Sequence, residues 1–331
     1  VSTVSKNQRF GAMQPMLFSK AIEGFLLEAN GGRYSPYFIP TMKSQLHYMC
    51  AYFNDPELES LTLEDWKRYF VHLQTDYKPK RLSGDTSPLA PATIDSHWKT
   101  LRGFYNWAEE ILSIERVDKK LPRIKYQSPQ IVPFTKEETI RLLDACQYAL
   151  VEKTSGRKYR IKRQHADRDK AIMLILLDTG IRLGELLRLR VGDINLENGE
   201  IYIRPHRDGR KSKSRTVFLG ARARQAIWKY IAKLQAHDDD QSLPLFDFRG
   251  ASFRQALARI AKSANVEHVY PHRFRHTFAI NYLRNQGDVF TLQRLLGHSS
   301  LDMTRRYLDI AQSDIATAHR YASPVDKWKL G

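Results

Sequence analysis

The sequence predicts a mainly α-helical chain with a small antiparallel β-sheet, divided into two domains. Three observations predict it. Long segments repeat apolar residues at spacings of three and four. Three short β-compatible segments gather around Asn198-Gly199, a strong turn signal. Residues 119–133, KKLPRIKYQSPQIVP, carry three prolines and four basic residues with little helical pattern, as an extended linker would. A length of 331 residues also suits two ordinary domains. The expected division is an arm over 1–15, a helical domain over 16–118, a linker over 119–133 and a second domain over 134–331.

Composition narrows the partners. The formal net charge is +17, which points to a large anionic partner. A membrane surface is the rival, but no segment approaches the roughly 20 apolar residues of a span. The longest apolar run, AIMLILL at 171–177, has the length of a buried helix. No charged segment followed by an apolar one opens the chain, so no secretory signal is expected. Cys50 and Cys146 fall in separate predicted helices and form neither a disulfide framework nor a zinc site. A reducing, cytoplasmic setting is the simplest expectation.

In chain order, the first helix is expected near 19–29, ending at Asn30-Gly31-Gly32, and the second near 40–53, with Met42, Leu46, Met49 and Phe53 on one stripe. Thr62 and Asp65 form an N-terminal capping arrangement ahead of Trp66, Tyr69, Phe70 and Leu73. An exposed basic loop follows over 76–92. Ile94, Trp98, Leu101, Tyr105, Ala108 and Leu112 then mark a long helix. Four amphipathic helices make a small all-α domain, in which Lys80, Lys99 and Arg102 are candidate phosphate contacts.

The second domain opens on a capping box, Thr135 with Glu138, before Ile140, Leu143, Cys146 and Leu150. Residues 153–170 form a basic insertion, read either as a contact to a polyanion through Arg160, Lys162 and Arg163 or as a solvated charge run; the single sign of charge over 157–163 favours contact. An apolar helix ends at Gly180, and Arg182 stands before a helix over 183–190 in which Glu185 is placed to brace it. Strands are expected near 193–196, 201–204 and 214–219, with the basic tip PHRDGRKSK between the last two. Helices near 221–236 and 251–264 lead into residues 270–310.

That last stretch gathers His272, Arg275, His276, His298 and Tyr307. Pro271 suits a helix first turn, which puts His272 and Arg275 on one face. Gly297 reads as the left-handed stop of the next helix, with His298 immediately after it. HxxR, then LGHSS, then a tyrosine nine residues beyond that histidine resembles the tyrosine recombinase (phage integrase) family, of the Xer and transposon-integrase type. TGIRLGELLRL (179–189) is similar to the family's first-arginine box, and ATIDSHWKTLRGFYNWA (92–108) to its core-binding domain.

The resemblance implies a C-shaped clamp on double-stranded DNA. One half is a helical, SAM-like core-binding domain and the other a mixed α/β catalytic domain. It also implies attack by Tyr307 on a phosphodiester at a specific recombination site, giving a 3′-phosphotyrosyl link and a free 5′-hydroxyl. Arg182 and Arg275 would hold the charge that develops on the non-bridging oxygens, since guanidinium is planar and bidentate towards phosphate. His298 would add a hydrogen bond and His272 would take the phenolic proton. In the family a hairpin lysine protonates the leaving oxygen. Here the expected position is Arg210, too weak an acid, so the role falls to Lys211 with Lys213 as the alternative; Arg210 and the remaining lysine would contact phosphate. No cofactor or metal is implied, and no Walker loop or carboxylate cluster is visible. A homotetramer working through a Holliday junction is implied, and the apolar tail at Trp328 and Leu330 could dock on a neighbouring protomer or on its own domain. A lambda-type arm-binding domain would need many more residues ahead of residue 16. The competing expectations are a type IB topoisomerase-like relaxing enzyme and a non-catalytic DNA-binding regulator.

Overall fold

The structure is a computed structural model. It describes residues 16–79, 81, 85–127, 130–152, 157–205, 214–235, 240–248, 250–311, 319 and 323–328. The chain forms two compact units, Val1–Ser128 and Pro129–Gly331, so the division falls inside the proline-bearing segment. That segment is docked at its ends. Leu121 joins the core of the first unit and Arg123 pairs with the buried Asp95, whereas Ile131 and Phe134 pack within the second unit.

The first unit is built from α1 (Phe18–Glu28), α2 (Ile39–Tyr52), α3 (Leu63–Thr75) and α4 (Pro91–Leu112). Thr62 and Asp65 exchange side-chain and backbone hydrogen bonds at the start of α3, which satisfies amides that the first turn leaves unpaired. Gly32, at φ +107°, breaks the chain after α1 in a conformation that side chains disfavour. The core is aromatic, with Phe18, Phe25, Trp66, Tyr69, Phe104 and Tyr105 fully enclosed. Its polar atoms are paired: Trp66 donates to the Tyr105 hydroxyl at 2.9 Å, and the Tyr69 hydroxyl meets His97 Nδ1 at 2.7 Å.

The second unit contains α5 (Lys136–Gln147), β1 (Tyr148–Glu152), β2 (Lys158–Lys162), α6 (Ala166–Thr179) and the short α7 (Leu183–Leu186). β3 (Ile194–Asn195), β4 (Glu200–Ile203) and β5 (Arg215–Phe218) follow, then α8 (Ala221–Gln235), α9 (Gly250–Ala264), α10 (Pro271–Arg284), α11 (Val289–Leu296), α12 (Asp302–Ala311) and a terminal helix at Pro324–Trp328. β3, β4 and β5 form an antiparallel sheet in sequence order, whose inner face buries Ile201, Ile203 and Val217. α6 is the central strut, with Ile172, Met173, Ile175 and Leu176 inaccessible, as its continuous apolar run predicts. No helix among the described residues is long and apolar enough to cross a membrane.

Three expectations are corrected here. The helix opened by Thr135 stops at Gln147, and Tyr148–Glu152 pairs antiparallel with Lys158–Lys162, so Leu150 is in a strand. Within the expected basic insertion, Lys158–Lys162 is therefore a strand, and Arg168 and Lys170 already belong to α6. Ile140, read as part of the buried stripe of α5, is 56% exposed; Leu142 and Ala145 take the core-facing places. The expected strands, turn and capping boxes appear with boundaries shifted by one or two residues.

Candidate functional site

α6 ends in the left-handed Gly180, at φ +61°. A Cβ there would lie 2.4 Å from the Phe278 ring, so glycine lets the turn pack against α10. Arg182 leaves this turn. Its backbone N–H donates to Glu185 at 2.8 Å and its guanidinium to the same carboxylate at 3.2 Å, so Glu185 braces it as expected.

Glu185 is itself buried, and also accepts both terminal nitrogens of Arg215, at 3.0 and 2.8 Å. Burial opposes its charge, but the Arg215 hydrogen bonds and charge outweigh this and hold the carboxyl at about 2. Arg215 Nε donates to the Leu295 carbonyl at 2.7 Å. The first strand residue after the basic tip is thereby tied to both Arg182 and the end of α11. Because the folded pKa lies below the ordinary value of 4.5, this carboxylate contributes stability fully above pH 4.5 and loses it as pH falls towards about 2. Glu185→Ala strands a mostly buried guanidinium and is expected to cost about 3–5 kcal/mol. Chemical denaturation at pH 7 checks the loss, and the gap between variant and wild type should narrow as the pH approaches 2.

Pro271 starts α10 and places His272 and Arg275 as expected. Arg275 is 3% exposed. It donates to the carbonyls of Gly180 and Leu296, each at 2.8 Å, and meets His298 Nε2 at 2.9 Å. Arginine has no acceptor, so Nε2 must accept. The His298 proton is then on Nδ1, which donates to Thr304 Oγ1 at 2.8 Å. Both ring nitrogens of His298 are engaged. Instead of presenting a free donor to a ligand, as expected from sequence, His298 fixes the Arg275 guanidinium. Burial, followed by the charges of Arg275 and Arg182, lowers the His298 pKa to about 3, in keeping with a neutral ring. Burial and the Arg182 charge also lower Arg275, to about 9, which leaves it charged at neutral pH.

Arg182, His272 and Arg275 line a cleft of about 280 Å³ together with Arg254 from α9 and an apolar wall that includes Leu257 and Val269. His272 keeps an edge open to solvent. The protein mass around it, then Arg275, Arg182, Arg306 and Arg254, depress its pKa. The sequence gives no local signal for Arg254, which stands on α9, a different helix from the histidine–arginine motif.

Tyr307 departs from expectation. A nucleophile open to the basic pocket was expected, but its side chain is 0% exposed, packed with Ala279, Ile280, Leu292 and Leu296. Its hydroxyl lies 2.9 Å from His276 Nδ1. Its ring stacks beside that of His298 at 6.3 Å, and the Arg306 guanidinium lies 5.2 Å from its centre. The sequence places His276 in the cluster without indicating a role for it.

The other candidates are more dispersed. Lys99 pairs with Asp95 at 2.8 Å, and Arg102 lies over the Trp98 ring at 4.8 Å. Arg160 pairs with Asp144 and covers the Tyr148 ring at 4.4 Å, and Lys162 pairs with Asp167 at 3.3 Å. Arg163 donates to the Ala145 carbonyl at 2.8 Å, a structural role. Lys80, Arg210, Lys211, Lys213 and Leu330 lie outside the described residues.

Comparison with known proteins places these features in context. The model of the phage integrase family matches residues 123–314. A tyrosine recombinase of Agathobacter rectalis is 27% identical over 260 residues, covering 75% of this chain and 78% of that protein. Tyrosine recombinase XerC of Pelobacter propionicus is 28% identical over 325 residues, covering 94% and 97%. Among solved structures, XerH recombinase bound to palindromic difH in a post-cleavage complex is similar in fold, with a TM-score of 0.65 at 20% identity, over 93% of this chain and 85% of that one. A lambda integrase (75–356) dimer bound to a core site reaches 0.67 at 15% identity, over 90% and 98%.

Proposed function

The chain belongs to the phage integrase family of tyrosine recombinases, and from that premise we propose that it is a site-specific recombinase that cuts and rejoins double-stranded DNA through a 3′-phosphotyrosyl intermediate and a Holliday junction. One observation carries this assignment to the residues. Arg182 from the turn before α7, Arg254 from α9, and His272 and Arg275 from α10 converge on one cleft, while Tyr307 is held against α10 within the same unit.

A phosphodiester in the cleft would meet guanidiniums already fixed by protein partners, so little reorganisation accompanies charge development on its non-bridging oxygens. Arg182 is set by Glu185, and Arg275 by Gly180, Leu296 and His298. Tyr307 is enclosed beside the cleft, so its hydroxyl must move out to attack phosphorus, and Lys211, with Lys213 as the alternative, protonates the leaving 5′-oxygen. The new bond conserves the energy of the old one, so religation needs no external energy source. α10 offers two imidazoles for the phenolic proton, His272 in the cleft and His276 at the hydroxyl.

The working unit we propose is a homotetramer on two DNA sites. Trp328, 71% exposed in the terminal helix, supplies an apolar ring for a neighbouring protomer. A two-site DNA substrate tests the function. Recombinant product in a complex of four protomers by sedimentation is expected; relaxation alone, by a monomer, would instead identify a topoisomerase-like enzyme. The charge of +17 further predicts that log K for DNA falls with log salt at about 0.9 per phosphate neutralised. A titration from low to high salt measures this slope, and a flat response contradicts the proposed phosphate contacts.

A further inference from the structure

We infer that His276 is a catalytic residue, the group that takes the proton of the Tyr307 hydroxyl as that oxygen attacks DNA. The inference rests on the assignment of Tyr307 as nucleophile and adds the base that activates it. Sequence pointed to His272 for this step. The geometry points one helical turn further along α10.

The Tyr307 oxygen lies 2.9 Å from His276 Nδ1, within the range of a nucleophile and its base. Tyr307 is 0% exposed, so bulk water does not compete for the proton. Arg306, over its ring, has no acceptor to offer. His298, beside its ring, has one nitrogen accepting from Arg275 and the other donating to Thr304. Among these described neighbours, His276 supplies the acceptor.

His276 also holds the protonation state the step requires. The Tyr307 hydroxyl can donate or accept, and the step uses the tautomer in which Nε2 carries the ring proton and Nδ1 accepts from the phenol. Burial, then the charges of Arg306, His272 and Arg275, lower its pKa to about 4, so the ring is neutral at neutral pH and keeps one acceptor nitrogen. Arg275 also lines the phosphate cleft. A phosphate bound there offsets part of the positive field that disfavours a protonated His276, so DNA binding makes the imidazole more basic where the nucleophile needs it. The His272 ring, centred 6.3 Å from that of His276, remains with the cleft arginines to face the phosphate.

In the forward step the Oη–P bond forms and the P–O5′ bond breaks. The phenolic proton moves to His276 Nδ1, and the hairpin lysine supplies a proton to the 5′-oxygen. In religation the 5′-hydroxyl returns its proton to the lysine as its oxygen forms the O5′–P bond, the Oη–P bond breaks and Nδ1 returns its proton to Tyr307.

Single-turnover cleavage of a nicked suicide duplex tests this with wild type, His276→Phe, His276→Asn and Tyr307→Phe. Phenylalanine keeps a ring but no acceptor. Asparagine can accept a hydrogen bond but cannot hold the proton. Both His276 variants are expected to cleave about 10²–10⁴-fold more slowly with DNA affinity retained. Their deficit should shrink as the pH rises and hydroxide takes over from the missing base. A 5′-bridging phosphorothiolate, whose leaving group needs no acid, should not restore them, though it should restore a lysine variant. Wild-type rates in either His276 variant overturn the inference, as does a deficit that is constant with pH. Should His276→Phe fail to fold, His276→Asn carries the test. Cleavage by Tyr307→Phe would instead overturn the nucleophile assignment, a separately visible failure.

Discussion

Tyr307→Phe lowers DNA cleavage and strand joining by about 10⁴-fold or more and abolishes the covalent protein–DNA intermediate, because no other group can take the place of the nucleophile. The fold should survive the change. The ring stays packed against Ala279, Ile280, Leu292 and Leu296, and only the hydrogen bond to His276 is lost, at about 1 kcal/mol. DNA affinity is expected to be unchanged, since the hydroxyl is buried and does not line the cationic cleft. Covalent trapping on a denaturing gel, alongside equilibrium binding, separates the two effects. Activity retained by the variant would show that the residue is only a packed core aromatic.

Arg275→Lys should lower the cleavage rate by about 10²–10³-fold, the typical cost of removing a placed donor to developing oxyanion charge. An ammonium retains the charge but not the planar fork that reaches Gly180, Leu296 and His298 together. Arg275→Ala should match or exceed that kinetic loss. It also leaves two buried carbonyls and His298 Nε2 without their donor, which costs about 2–4 kcal/mol of stability. Kinetics and denaturation measured together distinguish a positioning loss from unfolding. A lysine variant with wild-type turnover would contradict the phosphate role given to this guanidinium.

Much of this arrangement can be read in the chain before folding. The helices announce themselves through apolar spacing, and Thr62 with Asp65 and Thr135 with Glu138 mark two starts by a local exchange of hydrogen bonds. Asn198-Gly199 marks a turn, with Gly199 at φ +81°. The motif residues also announce Arg182, His272 and Arg275, which the fold brings to one cleft. The β1–β2 ribbon was obscured because YALVE continues the apolar pattern of α5, while its partner KYRIK reads as a charge run. The alternation in KYRIK is a period-of-two signal that could have revealed it.

The contacts that set the chemistry are less legible. Whether Tyr307 meets His272 or His276 depends on how α12 rotates against α10, and packing around Leu292 and Leu296 decides that, not any local spacing. The bidentate contact of Arg215 with Glu185 joins residues 30 positions apart and is likewise tertiary. Arg254 reaches the cleft because α9 packs beside the Arg182 turn. Motifs therefore name the chemical groups, while the pairing between them emerges from helix packing.

The most direct measurement is to trap the protein on a nicked suicide duplex, digest the adduct and identify the modified peptide by mass spectrometry. A single phosphodiester between Tyr307 and the 3′ end of the cleaved strand, with a free 5′-hydroxyl on the other fragment, is the predicted result. An adduct on any other residue, a link to the 5′ end, or cleavage with no adduct would contradict the account.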